Sequence, residues 1–146
     1  MSPDAILRRI RLALLVILAL GIPGSALELL LLKHTDGPWQ LLPLFLLAAS
    51  ALVLAWIALA PSLVGLRLWR LLMVLFVVSG LVGVLLHYRG NVEWELERMP
   101  GTGGWDLFRR AIMGATPSLA PGTMLQLGLV GLLYTYRHPI FSKSDS

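Results

Sequence analysis

Four long apolar stretches, residues 12–32, 39–60, 68–86 and 119–136, leave little of this chain that can be soluble. Hydrocarbon offers no water to backbone N–H and C=O groups, so a stretch of this kind satisfies them internally, as a helix. Crossing a ~30 Å hydrocarbon core takes roughly 20 mostly apolar residues, and the fourth stretch is at the short end of that requirement. The pattern predicts an all-α, polytopic integral membrane protein. It would be a single membrane domain over 1–146, with four transmembrane helices in an antiparallel bundle.

Composition agrees. The chain is 57% hydrophobic and 14% charged, against about 25% charged in ordinary soluble domains. It has no cysteine, which excludes disulfides, thiolate metal sites, iron–sulfur clusters and thiol redox chemistry. The net charge of +4 comes from basic residues that flank apolar segments. The expected partner is therefore the lipid bilayer, with its anionic headgroups, and not nucleic acid.

Arg8, Arg9 and Arg11 precede the first apolar run, and Gly24-Ser25-Ala26 resembles a small-residue cleavage site. Together they outline a secretory signal peptide. The run continues through Leu27 to Leu32, longer than a signal core needs, so the expectation is an uncleaved first helix. Lys33 to Pro38 supplies turn formers between the first two helices, and Pro61 ends the second.

Arg8, Arg9, Arg11, Arg67, Arg70, Arg137 and Lys143 fall on one side, and Lys33, Arg89, Arg98, Arg109 and Arg110 on the other. This bias predicts a protein of the cytoplasmic (inner) membrane with both termini cytoplasmic and the 87–118 connection outside. Trp39, Tyr88, Trp56, Trp69, Tyr134 and Tyr136 lie near the expected helix ends, where amphipathic rings favour the interface.

Within the connection, Gly101-Thr102-Gly103-Gly104 is a break. After it Trp105, Phe108 and Ile112 recur at helical spacing, with Asp106 early and Arg109 and Arg110 late. A short amphipathic interfacial helix follows from that pattern. Before the break, Val92, Trp94 and Leu96 alternate with Glu93, Glu95 and Glu97. Alternation fits an extended segment, whereas a helix would pair Glu93 with Glu97. Both readings stay open.

Glu28 is the sharpest chemical signal. It precedes His34 by six residues, roughly 9 Å along a helix. An acid in a spanning segment costs about 2.5–3.5 kcal/mol at the bilayer centre, so it tends to face a partner or a pathway. A structural hydrogen bond to Gln126 or Ser79 is the plain alternative to an ion or proton pathway through Glu28 and Gln126, or a relay with His34. Pro23 predicts a kink in the same helix.

His34 and His87 fall at the same expected end of their helices, with Asp36 beside the first and Glu93 after the second. Imidazole with carboxylate suits zinc, manganese or iron. A divalent metal held by His34, His87, Glu28, Asp36 and Glu93 is one expectation, and a solvated polar face is the other. No His-x-x-x-His spacing is present, and His138 falls on the opposite side, which argues against bis-histidine haem.

Gly21/Ser25, Ala51/Ala55 and Ser79/Gly83 have the small-xxx-small spacing that lets helices approach. Pro117 to Gly122 reads as a rigid helix start, with Ser118 or Thr116 as cap; a re-entrant segment is the alternative. No catalytic signature is present. The first functional expectation is a non-enzymatic accessory or scaffold subunit of a membrane assembly or homo-oligomer. A small transporter or metal-handling protein is the second, and a metal-dependent membrane enzyme the third.

Overall fold

The computed structural model describes residues 2–114, 116 and 120–142. The described segments are α1 (Pro3–Leu31), α2 (Pro38–Leu59), α3 (Leu63–Arg98), α4 (Gly104–Ile112), α5 (Gly122–Tyr134) and α6 (Pro139–Ser142), with no strand among the described residues. Pro117, Ser118, Leu119 and Lys143 lie outside them, so the reading of 117–119 as a helix start and the basic position at 143 have no structural account.

Local chemistry sets the helix starts. Ser2 caps α1 by accepting from the Ala5 N–H, and Pro3 occupies the first turn, where its missing donor costs nothing. Ser62 caps α3 by accepting from the Gly65 N–H at 3.1 Å. At α2 the cap is reversed. Gln40 reaches back to accept from the Asp36 N–H at 2.9 Å, while Gly37 takes a left-handed φ of 96° that a side chain would resist.

Helices α1, α2 and α3 are long and apolar enough to cross a membrane, and α5 is a shorter apolar helix of 13 residues. At 1.5 Å per residue α5 covers roughly 20 Å, less than the ~30 Å core. The four-span expectation is met in part: among the described residues three helices have spanning length and the fourth apolar helix, α5, is shorter. Pro121 lacks an N–H and marks one end of α5. At the other, Thr135 Oγ1 donates to the Leu132 carbonyl and Arg137 turns left-handed at φ 48°.

Beyond its expected span of 68–86, α3 continues to Arg98. Glu93, Glu95 and Glu97 are therefore helical and not extended. A short amphipathic helix occurs where expected, as α4, with Arg110 Nε on Asp106 Oδ2 at 2.9 Å.

Helices α1 and α2, α2 and α3, and α3 and α5 run antiparallel. One end of the bundle, the histidine end, gathers the end of α1, the start of α2, the later part of α3 and the start of α5. The opposite, arginine end holds Arg8, Arg11, Arg70 and Arg137. There Arg11 donates to the Arg137 carbonyl at 2.7 Å. Arg70 donates to Thr135 Oγ1 at 3.0 Å and covers the Phe141 ring.

The core centres on Leu18, Ile22, Leu47, Ile57, Leu66, Trp69, Met73 and Phe76, all fully buried. Trp69 corrects the interfacial reading: its ring is inside, and its indole N–H donates to the Gly131 carbonyl at 3.0 Å. The seam between α3 and α5 is glycine-lined. A methyl added at Gly80 would sit 2.6 Å from the Leu125 nitrogen, and one at Gly128 would sit 2.7 Å from the Met73 carbonyl oxygen. Two of the expected small-residue positions, Gly21 against Leu127 and Gly83 against Pro121, do make close contacts. Ala55, by contrast, is exposed.

Candidate functional site

Because α5 is short, the histidine end has three long helices and only the beginning of a fourth. A cavity of about 780 Å³ lies there. Its walls are mostly apolar: Leu29 and Leu32 from α1 and its following turn, Leu42, Pro43 and Leu46 from α2, Leu75, Val78, Val82 and Leu86 from α3, and Pro121 and Met124 at the start of α5. The rim is open, with Leu32 69% and Trp39 67% exposed. Toward the arginine end the same helices close up, with Leu18, Ile22, Leu47, Met73 and Phe76 at 0–1% exposure.

The polar lining is small. Glu28, His34, Gln40 and His87 contribute side chains, with Ser25, Ser79, Thr116 and Thr123 adding hydroxyls. Among the described residues, Glu28 is the only carboxylate in the lining, and no lysine or arginine is part of it. The Glu28 carboxylate makes no hydrogen bond or ion pair with the described residues.

His34, from the turn after α1, and His87, from α3, come together. Their ring centroids are 6.4 Å apart, with planes inclined at 44°. The turn after α1 makes this possible. Lys33 adopts a left-handed φ of 51°, and the His34 N–H then donates back to the Leu29 carbonyl at 2.9 Å. The His34 pKa is lowered from its ordinary 6.5, first by burial and then by repulsion from His87, and Asp36 partly offsets both.

The remaining expected site residues fall elsewhere. Asp36 is exposed in the turn, near enough to act on His34 but not part of the lining. Glu93 is exposed on α3, beyond the cavity. Gln126 is exposed on α5 and does not line the cavity, so it does not share Glu28's surroundings. Ser79, the other suggested partner, does line it. Among the described residues, no three His, Asp or Glu side chains form a group able to hold a metal ion.

One buried polar residue stands out beside the site. Asn91 is 2% exposed. Its Nδ2 donates to the carbonyls of Ala111 at 2.9 Å and Thr116 at 2.6 Å, and its Oδ1 accepts from the Thr116 N–H at 3.1 Å. These bonds tie the last turn of α4 and Thr116 beyond it to α3, and Thr116 lines the cavity. Sequence reasoning missed this role. The available signal was a neutral amide four residues before Glu95, which is itself buried at 8% exposure and so shares the face of α3 that meets α4.

No family model, curated protein or solved structure matches this chain.

Proposed function

We propose that this chain is a small, non-enzymatic membrane protein that works as a ligand-holding accessory subunit. The cavity at the histidine end carries this reading. It lies among the long apolar helices, has apolar walls and a sparse polar lining, and ends against packed core. Binding sites for small apolar molecules have this character. A path through a single chain would need to cross Leu18, Ile22, Leu47, Met73 and Phe76, all essentially inaccessible. Holding a ligand is therefore better supported than carrying one across alone. The arginine bias favours a cytoplasmic-membrane protein with both termini inside and the histidine end outside.

Native mass spectrometry of protein extracted in mild detergent tests the reading. The expected species is the 16.0 kDa chain with a small amphiphile attached, within a larger subunit assembly. Val82→Trp, which fills the cavity, should shed the amphiphile. A bare monomer in both samples would overturn the proposal. Labelling Ser2→Cys and Thr35→Cys variants with a membrane-impermeant maleimide tests orientation, because the chain has no cysteine of its own. Thr35→Cys alone should label in intact cells.

A second reading, metal handling, is favoured by the His34–His87 approach. With Zn–N near 2 Å, two imidazoles sharing one ion have ring centres roughly 5–6 Å apart. The observed 6.4 Å is close to that spacing. A third ligand would have to come from a bound molecule or another chain. Metal content beside a His34→Ala/His87→Ala variant decides this reading: stoichiometric metal lost in the variant supports it, and no metal in either sample overturns it.

A further inference from the structure

We propose that the cavity selects an amphiphilic organic monocation, with the positive centre on Glu28 and the apolar body against the leucine and valine walls. The inference rests on the reading of the cavity as a ligand site and adds the class of ligand.

Charge complementarity carries it. Among the described residues the lining contains one carboxylate and no lysine or arginine, and Glu28 has no hydrogen-bond or ion-pair partner. Glu28 is exposed near the end of an apolar helix, and a carboxylate that faces lipid there is costly until it meets a positive charge. An anionic lipid headgroup would bring like charge to Glu28. A phosphate also favours guanidinium or ammonium partners, and the lining supplies neither. A neutral acyl chain would fill the walls but leave Glu28 as it is. A cation with an apolar body satisfies both features of the lining.

Two further features agree. Trp39 lines the cavity near its rim, and an indole face attracts organic cations as they desolvate. His34 lies at the same mouth with its pKa lowered, so this imidazole is largely neutral at pH 7 and does not oppose an arriving cation. The cavity's volume of about 780 Å³ is within the ~300–1,000 Å³ range of small-molecule sites.

Tetraphenylphosphonium and tetraphenylborate have nearly the same shape and opposite charge, which isolates the sign of the interaction. Binding of each is measured to protein in zwitterionic lipid nanodiscs, subtracting protein-free discs. The expected result is saturable binding of the phosphonium alone. Glu28→Gln should weaken it at least tenfold, Glu28→Asp should retain part of it, and all variants should keep the wild-type helical circular dichroism. Val82→Trp reads the cavity separately from the charge. If both ions bind equally and both are lost in Val82→Trp, the cavity holds ligands but does not select cations, and this inference fails alone. If Glu28→Gln binds the phosphonium as tightly as wild type, it also fails. If neither ion binds, both the inference and the ligand-holding reading are overturned.

Discussion

His34 and His87 face each other across the mouth of the cavity, 6.4 Å between ring centroids, one from the turn after α1 and the other from within α3. Two imidazoles this close oppose each other when protonated. Burial adds to the effect on His34, whose pKa falls below 6.5. In the unfolded chain His34 regains its ordinary pKa and binds a proton more readily than in the fold. Stability therefore declines as pH falls from about 6.5 through the lowered folded value, and it is fully present above that window. His138, lowered by burial and by Arg11 and Arg70, acts with the same sign at the opposite end. Thermal unfolding in detergent at pH 7.5, 6.5 and 5.5 should show this loss. His34→Gln should flatten part of it, and an unchanged pH slope would count against the account.

Asn91 gives a sharper structural test. Its amide satisfies the Ala111 carbonyl in the last turn of α4, and the carbonyl and N–H of Thr116 beyond it. Asn91→Ala leaves these groups without that partner, at a cost of about 1–3 kcal/mol. Asn91→Asp keeps the acceptor and loses the donor, so it should recover only part. Hydrogen exchange of residues 111–116 should rise in both variants, more in Asn91→Ala. Unchanged protection there would remove Asn91 from its role as a tie.

The cavity was only half legible in the sequence. Glu28, His34 and His87 stood out because titratable side chains are rare in and beside apolar helices. What brought them to one space was the shortness of α5, and hydropathy blurred it: residues 119–136 read as continuous apolar chain although helix begins only after Pro121. The extension of α3 was hidden by Val92, Trp94 and Leu96, whose alternation mimics a strand. Trp69 was misplaced because distance to a helix end says nothing about which face a ring occupies. The Gly131 carbonyl that its indole needs is on another helix. Gly128 and Gly131 are three apart and so do not show the small-xxx-small spacing.

The α3–α5 seam separates crowded from uncrowded glycines. At Gly128 an added methyl meets the Met73 backbone oxygen at 2.7 Å, whereas at Gly24 nothing lies within 4 Å. Backbone cannot step aside as a flexible side chain can, so Gly128→Ala should destabilise by about 1–3 kcal/mol. Gly24→Ala, in the same kind of helical interior, should be neutral or stabilising by up to about 1 kcal/mol. Parallel unfolding titrations of the two variants check the contrast. Equal effects would mean that α5 does not pack on α3 through Gly128.

Ser50 offers a stabilising change. Its hydroxyl is fully buried and has no hydrogen-bond partner among the described residues. A helical serine often donates to the carbonyl four residues back, here that of Leu46, but no such bond is made. A buried hydroxyl without a partner costs about 1–3 kcal/mol, and removing it while keeping the methylene group avoids most of that cost. The exchanged volume is close to a single oxygen, so Ser50→Ala leaves little cavity behind. The variant should unfold at higher temperature than wild type in the same detergent, by an amount equivalent to about 1 kcal/mol. Destabilisation instead would show that the hydroxyl is satisfied in the membrane, by water or by a neighbouring chain reaching the core between α2 and its partners.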